Sequence, residues 1–143
     1  MRKLARVVVA VVVGLATAFV VAEPASAAVP VCNNYVQDGP IKVPAYNGNE
    51  HCWMQTGHTG WGVRILQMSL NYCYGDYLRS IGFPYEVDDD GQFGPITKEA
   101  LRQVQKLEDT RVPWDVTADG VYGWVTANSI FHTTGISWDC YRL

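Results

Sequence analysis

The chain is short of the features that mark the commonest alternatives. Its longest apolar run, Val7 to Val21, holds about 15 residues, against the roughly 20 that a membrane-spanning helix needs. It has no G-x-S-x-G elbow and no H-E-x-x-H pair, which removes the usual agents of nucleophilic and zinc-assisted hydrolysis. It has no C-x-x-C either, and only Cys52 with His51 and His58 approaches metal-ligand spacing. Basic residues are few, 11 Lys and Arg against 14 Asp and Glu, for a net charge of −3. That balance argues against nucleic acid or an anionic membrane as partner.

What is present begins with an export signature. Arg2, Lys3 and Arg6 precede the apolar run, and Pro24 and Ala25-Ser26-Ala27 follow it, the layout of a secretory signal peptide cleaved after Ala27. Residues 1–27 would then be removed, leaving 116 of 143. Three basic residues and one acidic residue, Glu23, go with them, so eight positive charges remain against 13 negative, a net of −5. A chain of that length makes one ordinary domain with a real core. All four cysteines, Cys32, Cys52, Cys73 and Cys140, lie in the exported part. An even count in an oxidising compartment implies two disulfides. Of three pairings, Cys32 with Cys52 and Cys73 with Cys140 is favoured, because the first pair brackets a region of distinct composition.

That region, residues 28–60, is rich in Pro, Gly and Asn and reads as an irregular arm pinned by a disulfide. Residues 61–143 read as helical. Val63, Leu66, Leu70 and Cys73 share one helix face in WGVRILQMSLNYC, and Ile96, Ala100, Val104 and Leu107 form a stripe in PITKEALRQVQKLE. Gly94-Pro95 starts the second helix. A loop, YGDYLRSIGFPYEV, separates the two, and GWVTANSIFH supplies a shorter third helix ending before Gly135. His132 near its end would suit the helix dipole. The expected fold is all-α, a compact three-helix bundle behind an irregular arm.

The chain repeats itself inside that bundle. DGQFGPIT from Asp90 and DGVYGWVT from Asp119 share Asp, Gly, an aromatic, Gly and Thr at an offset of 29 residues, each preceded by an apolar-Gln pair, Leu66-Gln67 and Val104-Gln105. The carboxylates of DDDGQFGPIT suggest a calcium loop, with Glu86, Asp88 and Asp90 before Gly91. Position twelve excludes it, since the bidentate Glu is replaced by Thr97 and, in the second copy, by Thr126. Adjacent Asp residues also lack the separation that paired acid/base carboxylates need. A structural role accounts for more residues: Asp90 and Asp119 bonding their own backbone, Gly91 and Gly120 at positive φ, and Phe93 and Tyr122 set into the core.

The order G-V-x-x-L-Q-x-x-L-N from Gly62, D-G-x-F-G-P-x-T-x-x-A-L-x-x-V-Q from Asp90, then D-G-x-Y-G-x-x-T, resembles the bacterial peptidoglycan-binding-like domain over about Trp61 to Phe131. It departs from that pattern at Val104, Trp124 and Ala127, and Gln67 lies 23 residues before Asp90 where Gln105 lies 14 before Asp119. The resemblance implies a non-catalytic, secreted module that holds cell-wall peptidoglycan without a cofactor or metal. A separate wall hydrolase is the candidate companion. A polymer of sugars and short peptides calls for amides, aromatics and Arg outside the apolar stripes, which nominates Gln67, Asn71, Tyr72, Gln92 and Arg102. Trp53, Trp61, Trp114 and Trp138 are assigned to packing. Two alternatives stand beside this reading: a small metal-dependent wall hydrolase using His51, His58 and His132, and a disulfide-stapled inhibitor acting through the loop between Cys32 and Cys52.

Overall fold

The structure is a computed structural model that describes residues 28–84, 86–136 and 139–143. Residues 1–27, the expected signal peptide, and Trp138 lie outside the described residues. Two antiparallel strands open the described chain, β1 (Asn34–Asp38) and β2 (Ile41–Ala45), with Asp38 opposite Ile41. Gly39 takes φ 52° at the first position of the two-residue turn, where a side chain would be strained. Helix α1 (Trp61–Ser80), helix α2 (Pro95–Asp109) and helix α3 (Trp124–Ser129) follow. Strand β3 (His132–Thr133) pairs antiparallel with strand β4 (Cys140–Tyr141).

Among the described residues the fold is therefore mixed, three helices with two small two-stranded sheets, and not the expected all-α bundle. The arm is no irregular segment. Its Asp-Gly-Pro corner turns a hairpin whose Ile41, Val43 and Ala45 are buried. Helix α1 extends past Cys73 through what reads as a loop, because Leu70, Tyr74 and Leu78 continue the buried face at four-residue spacing and outweigh the cost of about 1 kcal/mol for Gly75 in a helix interior. Helix α3 stops at Ser129. Buried Ile130 is already extended, with φ −90° and ψ 159°, and His132 sits in β3 rather than at a helix end.

One core joins these elements. Val63, Leu66, Leu70, Tyr74 and Leu78 of α1 meet Ala100, Leu101 and Val104 of α2, with Met54, Phe93, Tyr122 and Ile130 closing around them. Each large apolar side chain so buried contributes about 1.5 to 3 kcal/mol. The hairpin lies against the start of α1 at Gly62, where a Cβ would come within 2.8 Å of the Asn34 carbonyl oxygen. Disulfides Cys32–Cys52 and Cys73–Cys140 pin the hairpin region and tie α1 to β4, the favoured pairing. They are consistent with an extracellular protein. Among the described residues no helix is long and apolar enough to cross a membrane.

A buried carboxylate anchors the C-terminal end. Glu108 of α2 is fully buried and accepts from the Tyr74 hydroxyl at 3.0 Å while pairing with Arg111 at 3.2 Å and with Arg142. The Tyr74 oxygen in turn accepts from the Phe131 amide at 2.7 Å. Burial, with the Glu108 charge adding to it, pushes the Tyr74 hydroxyl well above the usual phenol range, so it remains a donor.

Candidate functional site

The two Asp-Gly turns are built by one device used twice. In the first, the Gln67 carboxamide nitrogen donates to Asp90 Oδ1 (3.0 Å), the Gln92 carbonyl (2.9 Å) and Thr97 Oγ1 (3.2 Å), while its oxygen accepts from the Gly91 amide at 2.8 Å. In the second, Gln105 bonds the Val121 carbonyl (2.9 Å), Thr126 Oγ1 (3.0 Å) and Asp119 Oδ1 (3.4 Å), and accepts from the Gly120 amide at 2.8 Å. Asp90 and Asp119 each accept from the amide two residues on, both at 2.8 Å. Gly91 and Gly120 take φ 74° and 73°, the left-handed region that a Cβ disfavours. Phe93 and Tyr122 are buried beneath the turns. The threonines that stand where a calcium loop needs Glu are thus partners of the glutamines. The Gln92 amide, then the Gln67 carboxamide, hold the Asp90 carboxyl below its ordinary value.

The arm stitches these turns together. Met54 and Tyr122 exchange backbone bonds of 2.8 and 2.9 Å, the Phe93 amide donates to the His58 carbonyl at 2.9 Å, and the Gly60 amide donates to the Gly91 carbonyl at 2.9 Å. The segment from Met54 to Gly60 therefore spans both turns and delivers the chain into α1. Its geometry fixes how the outer face of α1 meets the first turn.

Two hollows open on that outer face. The larger, of about 770 Å³, is lined by Met68, Asn71, Tyr72, Gly75 and Arg79 of α1 and by Phe83, Glu86 and the three Asp residues of the loop. The smaller, of about 300 Å³, is lined by Thr59, Gly60, Trp61, Arg64, Gly91 and Gln92, and Asp90 borders both. Trp61, Arg64, Met68 and Tyr72 fall at helical spacing along this face. The loop between α1 and the first turn, long in sequence, is the far wall. It is held by the Asn71 side chain, which donates to the Val87 carbonyl at 2.6 Å.

The nominated residues distribute unevenly over this surface. Asn71 and Tyr72 line the larger hollow and Gln92 the smaller. Gln67 is buried beneath them, its carboxamide consumed by the turn. Arg102 is exposed on α2 and faces Glu99 at 3.7 Å, lining neither hollow. Of the tryptophans assigned to packing, Trp53 is half-buried, set edge-on against His58, and its indole donates to the Val29 carbonyl at 3.0 Å. Trp61 and Trp114 instead stand 55% and 46% exposed. Sequence reasoning missed Trp61 and Arg64. Their spacing with Tyr72, opposite the buried stripe, was the available signal.

The three histidines of the hydrolase alternative lie apart. His51 is exposed and stacks on Trp124 at 4.3 Å, and His58 accepts from the Gln55 amide at 3.2 Å. His132 is buried, with Nε2 donating to the Ala127 carbonyl at 2.8 Å. Desolvation lowers its pKa to about 4, so it is neutral near pH 7. Among the described residues, no group of three His, Cys, Asp or Glu side chains is arranged to hold a metal ion. No protein-family model, curated protein or solved structure matches the chain.

Proposed function

We propose that the exported chain is a non-catalytic module that binds cell-wall peptidoglycan. The observation that carries this reading is the pair of adjoining hollows along α1, in which aromatic, amide and charged side chains line an open surface held by the first glutamine-bonded turn, which the Met54 to Gly60 segment ties to the second. Such a surface offers apolar ring faces to sugars and hydrogen-bond partners to short peptides. A rigid frame keeps the ordering cost of binding low. The motif resemblance over Trp61 to Phe131 supports the same conclusion, and the disulfides accord with a secreted protein that works at the wall.

The test is a depletion isotherm of the disulfide-bonded protein on insoluble purified peptidoglycan, with cellulose as the control polymer. Saturable loss from solution on peptidoglycan alone is expected, weakened by Tyr72→Ala. Equal depletion on both polymers, or none on either, would set the reading aside.

A further inference from the structure

The smaller hollow continues outward into a strip of alternating rings and cations that crosses from the hairpin to α1. Lys42 Nζ lies 5.5 Å from the centroid of the Tyr35 ring, Tyr35 meets Trp61 edge-on at 6.5 Å, and the Arg64 guanidinium lies 5.2 Å from the Trp61 centroid. Trp61 is the most exposed of these rings at 55%, with Tyr35 at 37%. Among the described residues Lys42 makes no ion pair, and Arg64 has only a 3.6 Å approach to the half-exposed Asp89. An indole held between a neighbouring ring and a guanidinium loses little freedom when a ligand covers it. It presents an apolar face with hydrogen-bonding cations at its margins.

From this arrangement we infer that the Tyr35–Trp61 strip is a saccharide subsite that stacks a sugar ring on Trp61 and takes carboxylates carried by the glycan at its two cationic margins, Arg64 and Lys42. The inference rests on the wall-binding reading and names the part of the polymer that this end of the site holds. Charge decides which end receives the carboxylate. Glu86, Asp88, Asp89 and Asp90 line the larger hollow and repel an anion, whereas the strip supplies two cations in a chain whose net charge is −3. Reach fits an extended strand: Trp61 and Tyr72 are 11 residues apart on one helix, about 16 Å along its axis. The glycan would lie along α1 with its anionic groups toward the hairpin.

The experiment measures binding of the protein to three probes by calorimetry: glycan strands freed of stem peptides and bearing their carboxylates, neutral oligosaccharides of the same sugar type, and free stem peptides. The strands should bind, and Trp61→Ala should weaken them at least tenfold, with partial recovery in Trp61→Phe. Lys42→Gln with Arg64→Gln should weaken the strands several-fold and flatten their salt dependence, with a smaller loss for the neutral oligosaccharides because Arg64 also steadies Trp61. Trp114→Ala, at an exposed ring that lines neither hollow, serves as the control. Trp61→Ala binding the strands as wild type does would overturn the inference, as would stem peptides binding where strands fail. Retention on intact peptidoglycan without strand binding would overturn this inference alone; loss of both would overturn the wall-binding reading with it.

Discussion

Replacing Gln67 or Gln105 by Ala leaves the Gly91 or Gly120 amide without its acceptor and removes the donor shared by the turn's Asp and Thr, while the Gln92 carbonyl keeps the Gly94 amide and the Val121 carbonyl keeps the Thr126 hydroxyl. An unpaired buried amide costs about 1 to 3 kcal/mol, so either variant should lose about 2 kcal/mol in urea unfolding; an unchanged midpoint would contradict the role given to these side chains. Gly120→Ala should cost more than Gly91→Ala. Both have positive φ, but a Cβ on Gly120 would meet Lys98 Cγ at 2.6 Å and its carbonyl oxygen at 2.7 Å, against 3.1 Å to the Gly60 oxygen for Gly91. His132 adds a pH dependence. Its pKa is about 4 when folded and 6.5 otherwise, so the unfolded chain binds the proton more tightly. Stability is intact above pH 6.5 and falls by about 3 kcal/mol as pH drops toward 4. In His132→Gln, which keeps a donor for Ala127, denaturation at pH 7.5 and 4.5 should show most of that drop gone.

At the scale of elements, the roles of the turns were legible in the sequence because Asp, Gly, aromatic and Thr recur at fixed spacing around one geometry. The extent of α1 was not, since Gly75 and the breakers after it masked the spacing of Leu70, Tyr74 and Leu78. The hairpin was missed for a related reason. Five-residue strands give little alternation to read, and only the Asp38-Gly39 corner announced them. The polarity of Gln67, read alone, nominates it for ligand contact and hides that a carboxamide can fill a buried turn, and the size of Trp61 suggests a burial that the structure does not give it. The disulfides separate two elements for testing. Cys73–Cys140 closes a separation of 67 residues and Cys32–Cys52 one of 20. Loop-closure entropy then assigns about 4 kcal/mol to the first and about 3 kcal/mol to the second. Thermal unfolding of the paired Ala variants should rank them in that order.

Across the whole molecule, the arm and the C-terminal end both converge on the helices that carry the site. Met54 to Gly60 joins the two turns, and Arg142 reaches across to Glu108. Arg142→Met should therefore destabilise the entire domain by about 3 kcal/mol, the lower end of the range for breaking a buried pair, because Arg111 remains beside Glu108. Unfolding should stay a single transition by fluorescence and circular dichroism, as one shared core requires. On the proposed reading, the same continuity makes the outer face of α1 a fixed template that would hold the wall polymer. The most direct test is to incubate the protein with insoluble peptidoglycan and measure, in one tube, the protein retained and the soluble muropeptides released. Retention with no release is the predicted result; release that a chelator abolishes, or no retention at all, would contradict it.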